Sequence, residues 1–388
     1  MTRQCSAEPP NSSATVLSIQ RMSTEDGPGL RTTVFFKGCS LACRWCQNPE
    51  AMSPKIQIVW HEWKCIGSGR CDAVCPEDAI RRRGKVVEID LGRCTLCGEC
   101  VDECPSTALE LLGAHWQVDD LVAEVAKDRS YYGASGGGVT ASGGEPAMQT
   151  TFVASFLERC RSLGLHTALD TCGMCSAASL ETLARRADLV LYDVKEIDAE
   201  RHTRFTGQSN ERILANLIAL GNHMRHSSSG LLKKAESTLR EPQGERKISI
   251  DSGSGSAHAE ALEAWGGVLQ SARAVELWIR TPLIPGATAT EENIRGIGAF
   301  LARNLGGVVG RWELCAFNNL ARDKYRRLGL AWDFEETELL TERELQHFAE
   351  VARTSGVDPD IVVATGPTRV PPETEDHDDF ASEDGSAL

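Results

Sequence analysis

From Val16 to Lys37 hydrophobic and polar positions alternate and then merge into an apolar run, Thr33-Val34-Phe35-Phe36. The run predicts a buried strand that opens at Gly38 onto a cysteine-rich loop. From Val118 onward the pattern switches between strand and helix periods. Val118–Ser130 reads as an amphipathic helix, Gly138–Ser142 as a strand running into Gly143-Gly144, and Phe152–Leu163 as a helix. Further strands are predicted at His166–Asp170, Leu189–Val194, Val275–Arg280, Trp312–Ala316 and Ile361–Ala364. Helices fall between them at Ala177–Arg186, Glu211–Leu220, Glu291–Asn304 and Glu342–Ser355. Such alternation predicts a parallel sheet with helices outside. Roughly six units are too few to close an eight-fold barrel, so an open or partial α/β barrel is expected.

Two segments break the rhythm. Residues 54–112 have their own cysteine spacing and read as an insert between barrel segments 15–53 and 113–370. Within it each Cys-Pro is followed by a short helical piece, Glu77–Ile80 and Ser106–Leu109, and Lys85–Ile89 reads as a strand. Residues 225–260, with Ser227-Ser228-Ser229-Gly230 and Ser252-Gly253-Ser254-Gly255-Ser256, predict a flexible insert loop. Residues 1–14 predict a disordered N-terminus, and 371–388 a disordered acidic tail.

Composition narrows the class. The chain has 388 residues, 41% of them hydrophobic, enough for one large core or two unequal domains. No apolar run reaches the ~18 residues of a membrane span, and the polar N-terminus shows no signal region, so a cytoplasmic protein is expected. Net charge is −14, and seven acidic residues and no basic ones follow from Glu373 to the end. That balance argues against binding nucleic acid through its phosphates. Of the 15 cysteines, ten lie in three short clusters, which favours metal or cluster ligation over disulfides.

The first cluster, Cys39-Ser40-Leu41-Ala42-Cys43-Arg44-Trp45-Cys46, has C-x3-C-x2-C spacing just after a predicted strand. Three thiolates can hold three irons of a [4Fe–4S] cube and leave the fourth open to a substrate. A zinc knuckle or three free core thiols would share the spacing, but a fourth soft ligand is missing nearby. In the insert, Cys94-x2-Cys97-x2-Cys100-x3-Cys104-Pro105 is a complete bacterial ferredoxin run. Cys65-x5-Cys71-x3-Cys75-Pro76 is the same run with Ser68 where the second cysteine belongs. In paired runs the fourth cysteine crosses to the other cluster. That assigns Cys94, Cys97, Cys100 and Cys75 to one [4Fe–4S] cluster, and Cys65, Cys71, Cys104 and Ser68 to a second site. There Ser68 ligates through oxygen, or the site holds three irons, or an exogenous ligand fills in. Cys172 and Cys175 form a C-x2-C that reads as two loop thiols or a redox pair. Cys5, Cys160 and Cys315 have no visible partners.

The cysteine motif resembles that of radical S-adenosylmethionine (SAM) enzymes. Asp26-Gly27-Pro28-Gly29-Leu30-Arg31, Phe36-Lys37-Gly38-Cys39 and Asn48-Pro49-Glu50 are similar, more closely, to the glycyl-radical-enzyme activating enzymes, the family of pyruvate formate-lyase activase. The likeness runs from about Ile19 to about Leu328, apart from 225–260. It implies a partial (β/α)6 radical SAM barrel with an inserted two-cluster ferredoxin-like domain. It implies that Cys39, Cys43 and Cys46 hold the SAM-cleaving cluster, which receives electrons through the insert from a flavodoxin or ferredoxin. The resulting 5′-deoxyadenosyl radical takes a hydrogen from a glycine of a partner glycyl radical enzyme.

The same resemblance implies the rest of the site. Trp45 stands beside the cluster, and Gly143-Gly144-Glu145-Pro146 contacts the SAM amino group. Asp170, Thr171 and Asp193 surround SAM and a monovalent cation near its carboxylate, and Lys195 and Arg280 contact SAM. Asn318, in Leu314-Cys315-Ala316-Phe317-Asn318, replaces a family histidine on the adenine side. Plainer alternatives are a β-turn at Gly143, a buried Asp–Lys pair between strands and a surface arginine. Two other functions are to be weighed: a different radical SAM enzyme with auxiliary clusters, acting on a peptide or small molecule, and an iron–sulfur electron carrier. Asp26–Arg31 and the position of the insert argue against the first, and the open C-x3-C-x2-C with Gly143–Pro146 against the second.

Replacing Cys39, Cys43 or Cys46 by alanine is expected to abolish 5′-deoxyadenosine formation from SAM and dithionite while the insert keeps its iron. Undiminished product from any of the three variants would contradict the assignment.

Overall fold

The alternating N-terminal segment forms β1 (Ser13–Ser23), which turns back antiparallel onto β2 (Arg31–Phe36). Ser13 and Ala14, expected in the disordered N-terminus, are strand residues paired with Gln117 and Trp116. The structure is a computed structural model that describes residues 13–84, 86–239 and 275–370. The disorder expected for 1–12 and 371–388, residues 240–260 of the expected loop, Lys85 and Cys5 lie outside the described residues.

The insert folds as two small antiparallel pairs. β3 (Gln57–Trp60) pairs with β6 (Leu109–Leu112), and β4 (Ile80–Arg83) with β5 (Val86–Ile89). Its one-turn helices are α1 (Arg70–Ala73) and α2 (Glu99–Asp102), which carry Cys71 and Cys100. The helical pieces expected at Glu77–Ile80 and Ser106–Leu109 are absent. After each Cys-Pro the backbone swings to positive φ, 46° at Asp78 and 52° at Thr107, and then enters β4 and β6. A helix does not tolerate that conformation.

The remaining chain builds the barrel. After β7 (Ala114–Gln117), the predicted helix Val118–Ser130 splits into α3 (Val118–Ala126) and α4 (Arg129–Ser135). The break falls at Asp128, whose carboxylate turns inward to accept from Thr32 Oγ1 at 2.7 Å and from Arg21. Then come β8 (Gly138–Gly143), α5 (Thr150–Ser162), β9 (His166–Thr171), α6 (Ala177–Ala184) and β10 (Leu189–Asp193). They are followed by α7 (Ala199–Thr206), α8 (Glu211–Leu239), β11 (Glu276–Leu283), α9 (Glu291–Leu305) and β12 (Arg311–Ala316). The last elements are α10 (Arg322–Arg327), α11 (Glu342–Arg353) and β13 (Val362–Thr365). Helix α8 continues through 225–239, the start of the expected loop. After Gly230 the strong helix formers of Leu231-Leu232-Lys233-Lys234-Ala235-Glu236 resume, without a proline to stop them.

Nine strands form one open sheet in the order β13-β12-β11-β10-β9-β8-β2-β1-β7. From β2 to β13 every neighbouring pair is parallel. The fold is thus α/β, with a partial barrel of parallel strands and β1 and β7 as an antiparallel extension. Alternate residues divide its faces. Val34, Phe36, Val139, Leu169, Val190, Ile279 and Leu314 point to the helix layer and join the main core with Phe156, Leu157 and Leu301. On the other face Ala168, Leu189 and Leu191, with Trp278, plug the N-terminal end. The C-terminal end of that face carries Ser142, Asp170, Asp193, Arg280 and Cys315, all of which line a cavity.

Candidate active site

The cysteine loop after β2 has almost no regular structure, so its position depends on backbone partners around it. Gly38 N donates to Ala51 O at 2.7 Å and Cys39 N to Met52 O at 3.1 Å. On the far side, Ala42 N and Arg44 N donate to Thr206 O and Phe205 O at the end of α7, at 2.8 and 3.0 Å. A third anchor comes from β8. Gly144 N donates to Phe36 O at 2.9 Å and Glu145 N to Gly38 O at 2.7 Å. That close approach requires glycine. A Cβ on Gly143 would stand 2.3 Å from Phe36 N, and one on Gly144 would stand 2.2 Å from Gly38 O.

So held, Cys39, Cys43 and Cys46 line one wall of a cavity of about 520 Å³. The same cavity is lined by Trp45, Gly143, Gly144, Asp170, Thr171, Asp193, Lys195, Arg280 and Asn318. The structure thus brings every expected site residue of the barrel to one mouth, except Glu145. Its carboxylate is fully buried and accepts from Thr171 Oγ1, Cys172 N, Cys172 Sγ and Ala147 N, at 2.8 to 3.0 Å. Glu145 therefore ties β8 to β9 instead of facing the cavity.

The cavity's charges are paired. Lys195 Nζ lies 2.5 Å from Asp193 Oδ2. Burial would lower that ammonium, but the Asp193 carboxylate outweighs it and holds Lys195 well above its ordinary value. Arg280 lies between Asp170 at 3.7 Å and Glu313 at 3.3 Å. Asp170 also accepts from Ser142 Oγ at 2.6 Å. Burial pushes its carboxyl up to about 7, against the pull of Arg280. Burial also raises Cys43 to about 11 and Cys46 to about 12, so both thiols are neutral until a metal displaces the proton. Cys39 moves the other way, chiefly through its side-chain hydrogen bonding with Cys172, against the effect of burial.

Sequence reasoning missed Cys172 in this role, along with several supports. Trp45 packs on Phe205 and Phe334, with ring centroids 5.8 and 6.2 Å away, in a cluster completed by Phe317, Tyr325 and Trp332. Lys324 Nζ clamps the loop after Cys46 through Gln47 O at 2.8 Å and Asn48 Oδ1 at 2.9 Å. Asp26 lines the cavity and accepts from Ser23 Oγ and Thr33 Oγ1 at 2.6 and 2.7 Å. The nearby Arg31 is buried, donating to Thr140 Oγ1 at 2.6 Å and Val139 O at 2.7 Å. No short-range spacing announces α7 or the 332–334 aromatics, which come from distant parts of the chain.

In the insert the cysteines surround two small cavities. Cys75, Cys94, Cys97 and Cys100 line one, and Cys65, Ser68, Cys71 and Cys104 line the other. Among the described residues no three His, Cys, Asp or Glu side chains converge on a single metal ion. The second cavity is also lined by Trp60, whose buried Nε1–H meets no acceptor. A cluster sulfur is an acceptor of the kind that N–H lacks, and the soft thiols suit iron–sulfur chemistry.

Two family patterns match the chain. Residues 64–108 match a 4Fe-4S dicluster domain, and residues 25–74 a 4Fe-4S single cluster domain. The (2S)-3-sulfopropanediol dehydratase activating enzyme of Klebsiella oxytoca is 32% identical over 350 residues, covering 88% of this chain and 95% of its own. The chain belongs to the glycyl-radical-enzyme activating enzymes. The isethionate sulfite-lyase activating enzyme of Nitratidesulfovibrio vulgaris is 33% identical over 87% of this activase and 95% of its own chain. The trans-4-hydroxy-L-proline dehydratase activating enzyme of Clostridioides difficile is 41% identical over 53% of this activase and 68% of its own chain. As a member of the family, this activase is a radical SAM enzyme that uses [4Fe–4S] chemistry to generate a radical on a partner glycyl radical enzyme. Among the described residues no helix is long and apolar enough to cross a membrane.

The raised Asp170 carboxyl predicts a pH effect. Between its unfolded value of about 4 and about 7, the folded protein holds a proton that the unfolded chain has lost. Stability therefore falls as pH rises through that window. Asp170→Asn is expected to raise the melting temperature of the SAM-free protein relative to wild type at pH 8 and to leave it nearly unchanged at pH 4. An equal shift at both pH values would contradict this.

Proposed function

We propose that Cys39, Cys43 and Cys46 hold a [4Fe–4S] cluster whose fourth iron is left to the amino and carboxylate groups of SAM. Held there, such a cluster would supply the electron for reductive cleavage of the S–C5′ bond of SAM to methionine and a 5′-deoxyadenosyl radical. The observation that carries this is the single cavity shared by three thiols and the polar ends of five strands, β8 to β12.

The protein's own groups bind and orient SAM. Gly143 and Gly144, which line the cavity without side chains, let the amino group approach the backbone closely. Asp170 and Asp193 offer oxygens to a monovalent cation beside the carboxylate, and Lys195 and Arg280 bring positive charge to the carboxylate and ribose. Asn318 Oδ1 accepts from Leu320 N at 3.2 Å, which leaves its amide N–H groups for the adenine edge. Trp45 and its aromatic neighbours close the cluster side against water, protecting a reactive radical. Glu145 acts behind the wall by fixing the β9 loop, and Cys172, which lines the cavity beside Cys39, is held by it.

Each of the two cysteine sets in the insert holds a cluster, with Ser68 at the position lacking a thiolate. A flavodoxin or ferredoxin is the reductant, and the reducing cytoplasm is where such thiolate sites persist. Because the insert is separate in sequence and has its own core, this assignment does not depend on the SAM site.

Anaerobic incubation with SAM and dithionite is expected to yield 5′-deoxyadenosine and methionine in equal amounts. Adding a glycyl radical enzyme that this activase serves should then give a doublet EPR signal that collapses when its glycine carries deuterium. A protein with full iron content that forms no 5′-deoxyadenosine would contradict the proposal.

A further inference from the structure

Cys39 and Cys172 lie far apart in sequence, and the fold seats them side by side. Ser40 Oγ donates to Met174 O at 2.9 Å. On the other flank, Glu145 N donates to Gly38 O at 2.7 Å, and the Glu145 carboxylate accepts from Cys172 N at 2.9 Å and from Cys172 Sγ at 3.0 Å. The residues on both sides of Cys39 are thus tied to the turn that carries Cys172. Between these ties the two cysteine side chains hydrogen-bond to each other, and both line the large cavity. A small molecule that enters the cavity meets both thiols.

The neighbouring cysteines are disposed differently. C-x2-C spacing makes Cys175 the expected partner of Cys172, but Cys175 is not among the residues that line the cavity. Its part of the turn is held from the helix side, where Asn216 Nδ2 of α8 donates to Gly173 O at 2.9 Å and to Cys175 O at 3.0 Å. Cys46 Sγ accepts from Asn48 N at 3.4 Å, within its own loop. The thiol bonded to Cys39 is that of Cys172. A cluster held by Cys39, Cys43 and Cys46 does not use it, so the cavity carries a fourth thiol, next to a ligand, that the proposed reaction leaves without a task.

We propose that Cys172 is a resolving cysteine for Cys39, and that the two close into a disulfide when oxidation strips the cluster from the loop. The oxidant is a peroxide, the class of compound that partial reduction of oxygen yields. One peroxide oxygen passes to the Cys39 sulfur, which gives a sulfenic acid and one water. The Cys172 sulfur then attacks that sulfur. The S–S bond forms, the S–O bond breaks, and the Cys172 proton passes by way of Glu145 Oε2 to the departing hydroxide as a second water. The two thiols lose two electrons in all, and the peroxide takes them up. Without a thiol beside it, the sulfenic acid goes on to sulfinic acid, which thiol reductants do not reverse, whereas thiol exchange reopens a disulfide. While the bond stands, Cys39 cannot serve as a ligand and the loop is held out of cluster assembly. That consequence rests on the cluster assignment proposed above; the disulfide itself does not.

The test is a peptide map. Reconstituted holoenzyme is exposed to hydrogen peroxide until its iron is lost, free thiols are alkylated, and unreduced digests are read by mass spectrometry. A peptide that links Cys39 to Cys172 is expected in wild type and in Cys175→Ser, and its complete loss in Cys172→Ser. Serine keeps a donor for Glu145, so the turn is preserved. Dithiothreitol should return Cys39 as a thiol in the first two proteins, while Cys172→Ser carries it as sulfinic or sulfonic acid. A wild-type map in which Cys39 is joined to another cysteine, or to none, would overturn the proposal. So would equal recovery of the Cys39 thiol in wild type and Cys172→Ser. Absence of 5′-deoxyadenosine formation by wild type before exposure would count instead against the function proposed above, and the map of the same sample would still decide the pairing.

Discussion

A loop proposed to hold a cluster through three thiols needs a fixed geometry, and this one has almost no hydrogen-bonded structure of its own. Its geometry is imposed by backbone bonds from the segment after it, from the end of α7 and from the Gly143-Gly144 turn of β8. The third contact is the constraint from which much of the site follows. It brings β8 within bonding distance of Gly38, and Glu145 then turns inward to bind Thr171 at the end of β9 and Cys172 just after it. Cys172 reaches back to the Cys39 sulfur. One ring of contacts thus joins the cysteine loop to two strand ends, and the cavity is what it encloses.

The parallel sheet explains why so many sequence-distant groups share that cavity. C-terminal strand ends in such a sheet lie on one side, and residues two apart on a strand face the same way. Leu189, Leu191 and Asp193 are one row of β10, apolar at the base and charged at the mouth. Trp278 and Arg280 repeat the change on β11. Apolar plug and polar mouth are therefore successive positions on the same strands. The mouth places Asp193 and Arg280 directly opposite each other in register. Buried carboxylates and cations in such proximity need one another, which is why Lys195 stays charged despite its burial.

Much of this was legible in the sequence, because strand-end motifs and cysteine spacing are local. C-x3-C-x2-C, Gly143-Gly144, Asp170-Thr171 and Asp193-x-Lys195 each sit within a few residues of a readable apolar run. The crossed cysteine pairing of the insert was also legible as an expectation, and its two sets line separate cavities. What escaped depends on contacts far apart in the chain. Phe205 and Thr206 hold a loop about 160 residues away, and Trp332 and Phe334 wall in Trp45. Glu145 could not be distinguished from a cavity-facing carboxylate, since only its burial separates the two. The short helices of the insert lie before each Cys-Pro and not after it, because the positive φ at Asp78 and Thr107, which leaves no periodic signal, bars a helix there. The end of α8 was missed because Ser-Ser-Ser-Gly reads as a loop when flanking helix formers are discounted.

The central claim is that the three-thiolate cluster leaves one iron to SAM itself. Electron–nuclear double resonance of the reduced protein with SAM labelled in its amino nitrogen and carboxylate oxygen tests it most directly. Hyperfine coupling from both labels to a cluster in wild type is expected, together with its loss in Cys43→Ala when the insert clusters are intact. No coupling in wild type, or the same coupling in Cys43→Ala, would contradict it.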